Sequence, residues 1–160
     1  MSISNRLKII AAMVTEGKTA ADIGTDHGYV PVFLVKEGRV PSAIASDMSR
    51  GALNKAIENV QRAGLSDQID CRLADGLSGI SPGEVQSIII SGMGGILMHR
   101  ILTEGIEVVK QADELILSPH RDRELIKDFL IQNDFEIAAE REFIDKKKNY
   151  VVFKGIRRRT

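Results

Sequence analysis

The chain has 160 residues, enough for a domain that buries about 70% of the surface its unfolded form would expose, so we expect one domain over residues 1–160. Hydrophobic residues make up 43% and charged residues 28% of the sequence, which excludes the disordered and fibrous classes. The 22 basic and 22 acidic residues balance, so no overall positive charge would draw the protein onto nucleic acid.

Cysteine content and hydropathy predict a cytoplasmic protein. The single Cys71 cannot form an intramolecular disulfide, and no second cysteine or nearby histidine offers the spacing of a metal site. No apolar run approaches the roughly 18 residues that a membrane span needs. The apolar stretch 9–14 is too short for the core of a signal peptide. We therefore expect neither a membrane partner nor a bound metal.

The first third of the chain reads as helix, strand, turn and helix. One apolar stripe predicts an amphipathic opening helix through Leu7, Ile10, Ala11 and Val14. Residues 19–24 form a short apolar run that ends in a glycine, which predicts a strand and a turn. Pro31 then lies where the first turn of a second helix tolerates proline.

The strand-and-helix pattern then repeats. Residues 42–45 predict a second short strand that leads to Asp47, and Ser49 is placed to cap the next helix. Gly64 is expected to end that helix. Its apolar face is predicted to carry Leu53, Ala56, Ile57 and Val60.

Two further strands are predicted at residues 69–73 and 85–90. The first leads into Asp75 and Gly76, and the second into the glycine-rich segment 91–95, SGMGG. A helix should follow with Ile96, Leu97, Ile101 and Leu102 on its apolar face.

The last third of the chain closes with a hairpin. A fifth strand is predicted at residues 114–117, ending at Ser118-Pro119-His120, and Asp122 is expected to cap the following helix. That helix should bury a face formed by Leu125, Ile126, Phe129 and Leu130. Residues 135–144 and 149–156 lie on either side of a charged turn with no helix between them, which predicts two antiparallel strands.

These elements predict an α/β fold. Five strands alternating with helices, followed by a hairpin, indicate a mainly parallel, seven-stranded sheet with helices on both faces and an antiparallel edge.

Every conspicuous polar or glycine-rich segment follows the predicted end of a strand. Because ligands of open α/β sheets bind outside the carboxyl ends of the strands, these five segments should converge on one site. They are 22–28, Asp47, 75–76, 91–94 and 118–120.

The first of these segments favours a cationic nucleoside over a dinucleotide. Asp47 follows Gly24 by 23 residues, the spacing at which an acidic residue can bind both hydroxyls of a ribose. The turn lacks the G-x-G-x-x-G pattern, and Asp26 would repel a pyrophosphate at the helix start. The carboxylates of Asp22 and Asp26 would instead attract the ammonium and sulfonium groups of S-adenosylmethionine.

Several motifs together give the chain a family resemblance. They are Arg6-Leu7, ADIGTDHGYVP at 21–31, ADGL at 74–77, SGMGG at 91–95 and NDFE at 133–136. With them, nearly the whole sequence resembles the class I S-adenosylmethionine-dependent methyltransferases. Within that class it looks like the bacterial TrmK-type enzymes, which methylate N1 of adenosine 22 in tRNA. The resemblance implies a Rossmann-like fold, S-adenosylmethionine as cofactor and tRNA as substrate.

The resemblance also implies the residues of the site. The turn after the first strand and the end of the second strand would hold the methionine and ribose of the cofactor. The segment after the third strand would contact the adenine, and the segment after the fourth strand would form the floor of the pocket. The implied cofactor-binding residues are Asp22, Ile23, Gly24, Thr25, Asp26, Gly28, Asp47, Met48, Asp75, Gly76, Ser91, Gly92, Met93 and Gly94. The implied catalytic residues are Asp26, His27, Tyr29 and His120.

Asp26 is the residue we expect to face the reacting base. Methylation of N1 leaves a cationic adenine, and the Asp26 carboxylate would accept a hydrogen bond from its exocyclic amine. Tyr29 would stack on or hydrogen-bond the base, and His27 or His120 would orient it. Structural alternatives remain open, because Tyr29 could simply pack and His120 could cap the next helix.

Two departures from the family pattern keep other functions open. The family usually has Gln-Pro-Asn where this chain has Ser118-Pro119-His120, and it usually continues into a helical domain after the sheet. The alternatives are an RNA-binding module without turnover, a methyltransferase with another substrate, and a nicotinamide-dependent oxidoreductase. The basic segment 146–160 is interpreted as a solvated terminus, with a tRNA clamp as its alternative.

Overall fold

The structure is a computed structural model that describes residues 3–159. Its strands are β1 Ala20–Ile23, β2 Ala43–Asp47, β3 Ile69–Leu73, β4 Ser87–Met93, β5 Glu114–Pro119, β6 Phe135–Asp145 and β7 Lys148–Arg157. Its helices are α1 Asn5–Ala12, α2 Tyr29–Lys36, α3 Arg50–Arg62, α4 Gly95–Glu104, α5 Ile106–Val109 and α6 Arg123–Gln132.

All seven strands belong to one sheet, in the order β3-β2-β1-β4-β5-β7-β6. Strands β1 to β5 pair in parallel, whereas β7 is antiparallel to both β5 and β6. The predicted fold class is therefore confirmed. The chain leaves β1 toward β2 on one side and returns to β4 on the other, so the strand order reverses between β1 and β4, where ligands of such sheets bind.

Helices cover both faces of the sheet because successive residues of the buried central strands point to opposite sides. Ile88 and Ile90 of β4 pack on the face that α4 and α6 cover, whereas Ile89 packs on the face covered by α1 and α2. All three isoleucines are buried. Across residues 3–159, no helix combines the length and apolar character that a membrane crossing requires.

The predicted boundaries of α3 are confirmed by its caps. The Ser49 hydroxyl accepts a hydrogen bond from the Ala52 N–H at 3.4 Å, and Gly64 follows the helix with a φ of +72°. The predicted hairpin is also confirmed, with β6 and β7 joined through Lys146 and Lys147.

Three features differ from the predicted elements. The β3–β4 connection, where no helix was named, is a series of turns, and the short α5 was not predicted. Strand β4 starts at Ser87 and runs through Met93 with an irregular register after Ser91, so the first three residues of SGMGG belong to the strand. Such a bulge redirects the strand end.

Two side-chain predictions also fail. On α4, Ile96 and Leu97 are exposed, and the fully buried residue of this turn is Met98. Asp122 does occupy the N-cap position of α6, but its φ is +57° and its side chain makes no capping hydrogen bond.

Candidate active site

A cavity of about 280 Å³ lies at the carboxyl ends of β1, β4 and β5. It is lined by Arg6, Leu7, Asp22, Gly24, Thr25, Asp26, His27, Tyr29, Val30, Ser91, Gly92 and His120. Three of the five segments that the sequence analysis singled out therefore meet here, those that follow β1, β4 and β5. The four residues expected to be catalytic all line this cavity.

The floor of the cavity carries a buried carboxyl group. Asp22 is only 5% exposed and accepts a hydrogen bond from the Thr25 hydroxyl at 2.9 Å. Burial raises the pKa of Asp22 to about 7, and the carboxylates of Asp47 and Asp26 add to the increase. The Thr25 hydrogen bond and the Arg6 cation act in the opposite direction. Asp22 therefore changes its charge near neutral pH.

Arg6 supplies a cation to the same cavity. Its Nη1 atom is buried and has no hydrogen-bond partner among residues 3–159. Buried guanidinium nitrogens are normally satisfied, so this donor indicates a place for an anionic group. Sequence analysis gave Arg6 no role because the residue lies on α1, ahead of all the strand ends.

The β1–α2 turn is held in place by backbone hydrogen bonds. The N–H groups of Gly24 and Thr25 both donate to the Ser46 carbonyl at 2.9 Å. The Asp26 N–H donates to Asp47 Oδ2 at 2.9 Å, and Asp47 Oδ1 accepts from the Ser49 N–H at 2.9 Å. Asp47 thus stabilises the turn through these hydrogen bonds, and its carboxylate retains lone pairs for further donors.

Asp26 has a strained backbone and an accessible side chain. Its φ is +58°, which is uncommon for a residue with a side chain, and the side chain is 69% exposed. Its Oδ2 lies 3.0 Å from Nδ1 of His27. The His27 ring in turn stacks on Tyr29, with 5.3 Å between ring centroids. The three side chains form one polar and aromatic group beside the cavity.

His120 belongs to the cavity and not to a helix cap. Its N–H donates to the Met93 carbonyl at 2.9 Å, which joins the loop after β5 to the end of β4. Partial burial lowers the pKa of the His120 imidazole, and the cations Arg6, Lys148 and Arg121 lower it further. The surroundings of His120 therefore favour its neutral imidazole form.

The structure separates the remaining residues of the expected site. Asp75 and Gly76 line a second, separate cavity of about 540 Å³, together with residues of α4 and α5. Met48 is 68% exposed, and the Ile23 side chain is buried in the core. Gly28 is packed against Ala56, Met93 is half-buried against the core, and Gly94 precedes α4.

Among the described residues, no cluster of three or more metal-ligating side chains occurs.

The sheet and the cavity at its switch point define a Rossmann-like ligand-binding fold. Residues 3–153 match the family described as a methyltransferase domain, and the chain belongs to that family. It is 34% identical over 140 residues to the tRNA (adenine(22)-N(1))-methyltransferase of Bacillus subtilis (strain 168). This match covers 88% of the chain, which spans 59% of that enzyme's length.

Two solved structures of similar proteins share the fold. The Streptococcus pneumoniae protein Sp1610, in complex with S-adenosyl-L-methionine, aligns with a TM-score of 0.94 at 36% identity, covering 98% of this chain and 73% of that chain. The Bacillus subtilis m1A22 tRNA methyltransferase TrmK aligns with a TM-score of 0.93 at 32% identity, covering 98% of this chain and 67% of that chain.

Proposed function

We propose that this chain is the cofactor-binding and catalytic part of an S-adenosylmethionine-dependent methyltransferase that modifies N1 of adenosine in tRNA. The observation that carries the proposal is that a buried carboxyl, Asp22, and the half-buried Arg6, whose Nη1 atom is buried and has no partner among the described residues, line one cavity at the switch point. The similarity to the Bacillus subtilis enzyme supports the choice of substrate.

The charges of the cavity fit the methionine end of S-adenosylmethionine. That end carries a carboxylate and an ammonium group, and Arg6 and Asp22 are their complementary partners. We assign the ribose to Asp47, whose carboxylate accepts a hydrogen bond from the turn at the Asp26 N–H, and the adenine to Asp75 and Gly76 after β3. When bound, the cofactor supplies an electrophilic methyl group.

The same charges argue against a dinucleotide. Asp26 lies on the turn where a pyrophosphate would have to bind, and Asp22 lies beneath it at the end of β1, so carboxylates of both residues would repel the pyrophosphate. The nicotinamide-dependent alternative is therefore disfavoured.

The exposed side chains beside the cavity suit a base that has been turned out of an RNA helix. N1 lies on the Watson–Crick edge of adenine, so the base must leave its stack before it can react. Asp26 would accept a hydrogen bond from the exocyclic amine as positive charge develops on the ring. His27 and Tyr29 offer a stacked surface, and the His120 imidazole, which lines the same cavity, can orient the base.

A charge-neutral change at Asp26 tests this function. Asp26→Asn keeps a residue that tolerates positive φ but removes the carboxylate, so we expect methyl transfer to fall about 10²-fold while S-adenosylmethionine still binds. Asp134→Asn is the matched control, because Asp134 also has a positive φ of 66° and precedes β6 at the opposite edge of the sheet.

The measurement is mass mapping of an unmodified tRNA transcript after incubation with the protein and S-adenosylmethionine. We expect methyladenosine with the parent and Asp134→Asn proteins and a large loss with Asp26→Asn. Transfer to an exocyclic amine would contradict the N1 assignment, and cofactor binding without any transfer would favour an RNA-binding module.

A further inference from the structure

The basic segment at the end of the sequence is divided between two edges of the sheet. Strand β7 runs antiparallel to β5, so its first residue, Lys148, lies at the carboxyl-end edge with the candidate active site. Its last residue, Arg157, lies at the opposite edge, 4.3 Å above the Phe135 ring. Residues 148–157 of the segment therefore form a strand rather than a terminus, whereas Lys146, Lys147, Arg158 and Arg159 at its two ends are exposed. Thr160 lies outside the described residues.

The β6–β7 hairpin extends beyond its neighbour in the sheet. The pairing of β7 with β5 ends at Phe153, whereas its pairing with β6 continues to Lys148 opposite Asp145. Lys146 and Lys147 form the two-residue loop at the tip, with φ values of +50° and +67°, and both are exposed. Two positive φ angles in a two-residue loop are typical of a type I′ turn.

Tyr150 connects this hairpin to the cavity. Its ring stacks on Phe143 of β6, with 5.6 Å between centroids, and meets the His120 ring edge-on at 5.9 Å. The Arg6 guanidinium carbon lies 5.6 Å from the centre of the same ring. Because Arg6 and His120 also line the cavity, the hairpin and the candidate site share two side chains.

A cleft of about 380 Å³ lies between the hairpin and the loop after β5. Its lining includes Arg121 and Lys148, and Lys146 and Lys147 continue the positive surface to the tip. Carboxylates on the adjoining segments include Asp122, which follows Arg121, Asp145, which precedes the tip, and Glu142, which is paired with Arg123 at 2.8 Å. Lys148 and Arg121 also lower the pKa of His120, in keeping with a local excess of positive charge.

From this juxtaposition, and resting on the proposed function, we propose that the β6–β7 hairpin tip and the adjoining cleft bind the tRNA backbone next to the adenosine that enters the active site. Lysine and arginine side chains bind the phosphates of a nucleic-acid backbone. The contact is independent of base sequence.

A double substitution at the tip removes the charge without disturbing the hairpin. Lys146→Asn with Lys147→Gly removes two positive charges and installs Asn-Gly, the pair that type I′ turns favour. Arg158→Asn with Arg159→Gly likewise removes two positive charges, at the other end of the basic segment and at the far edge of the sheet, where Arg159 pairs with Asp113. That variant is the matched control.

The readout is the affinity for an unmodified tRNA transcript as a function of KCl concentration. Each lost phosphate contact reduces the magnitude of the negative slope of log K against log salt by about 0.7 to 0.9. We therefore expect the slope of the tip variant to be smaller in magnitude than that of the parent by about 1 to 2. We expect the control variant to keep the parent slope and both variants to keep the parent affinity for S-adenosylmethionine. An unchanged slope in the tip variant would overturn the proposal.

Methyl transfer separates failure of this proposal from failure of the proposed function. If the parent methylates tRNA while the tip variant shows the parent KM and salt slope, the hairpin surface is overturned and the function stands. If tRNA binding depends on the tip but no methyl is transferred, the surface stands and the function fails. If polyglutamate binds in a tip-dependent way and tRNA does not, the surface serves an acidic protein and the proposal is overturned.

Discussion

The Asp22 carboxyl group is buried at the candidate active site, where we propose that it binds the cofactor. It lies beneath the turn after β1, where it accepts a hydrogen bond from the Thr25 hydroxyl and interacts with the Arg6 cation. Because burial raises its pKa to about 7, the group is neutral in mildly acidic solution and ionised in mildly basic solution. In the proposed site, only the ionised form pairs with the ammonium of S-adenosylmethionine.

We therefore predict that cofactor affinity depends on pH below neutrality. As the pH falls below 7, a growing fraction of Asp22 must lose a proton before it can bind, so affinity should fall by up to about tenfold per pH unit. Isothermal titration with S-adenosylmethionine between pH 5.5 and 7.5 measures this dependence and the accompanying proton release.

Asp22→Asn is the control for that titration. The amide preserves the side-chain shape but cannot titrate, so its weaker affinity should vary little over the same range. A parent protein whose affinity is constant from pH 5.5 to 7.5 would show that Asp22 does not pair with the ligand.

At the level of single residues, part of the candidate site could be predicted from the sequence. Asp22, Asp26, His27, Tyr29 and His120 could be named because they follow the predicted ends of strands and carry reactive groups. Arg6 could not, because its entry into the cavity depends on how α1 packs against the sheet. Likewise, Asp75 and Gly76 line a second cavity because of how α4 and α5 pack against them, which the sequence does not reveal.

The start of α2 illustrates how an element positions the site. Gly28 is the N-cap of α2 with a φ of +72°, and a Cβ there would lie 3.0 Å from the Cβ of Ala56 on α3. This close approach fixes the distance between the two helices that flank the turn. The turn itself carries Asp26 and His27, so packing at Gly28 controls their placement.

We predict that Gly28→Ala destabilises the fold more than Gly38→Ala. Gly38 has a similar φ of +74°, but an added Cβ there would meet no atom within 4 Å. Backbone strain should lower the free energy of unfolding of both variants by about 1 kcal/mol or more. Overpacking should lower that of Gly28→Ala further, by about 1 to 3 kcal/mol.

Urea unfolding of the two variants measures this difference in the free energy of unfolding. Equal destabilisation would mean that α2 and α3 separate freely, which would contradict the role of Gly28 as a tight contact.

The accuracy of the element predictions followed the strength of the local signals. Helix α3 was predictable because Ser49, Gly64 and a long apolar face agree with one another. The four-residue α5 is too short for a helical period to appear, and the glycine-rich end of β4 resembles a loop until its pairing with β5 is known. On α4, Met98 replaces Ile96 in the core because tertiary packing selects the buried face.

At the scale of the whole molecule, the alternation of strands and helices was sufficient to predict the parallel sheet and its antiparallel hairpin. The division of the basic segment was not predictable. It depends on β7 inserting between β5 and β6, which carries Lys148 to the active-site edge and Arg157 to the opposite one. Strand order is a property of the assembled sheet, and no local pattern specifies it.

The same assembly brings the first helix, the first strand and the last hairpin to one place. Arg6 of α1 lies in the cavity beside Asp22 of β1 and also over Tyr150 of β7. The account depends on this arrangement holding the methionine end of the cofactor.

The most direct test compares S-adenosylmethionine with its decarboxylated analogue by isothermal titration, in the parent protein and in Arg6→Gln. The account predicts that the parent binds S-adenosylmethionine about 10- to 100-fold more tightly than the analogue, as expected for a charged hydrogen bond, and that Arg6→Gln largely loses this preference. Equal discrimination by the two proteins would contradict the assignment of Arg6 to the cofactor carboxylate, and with it the proposed site.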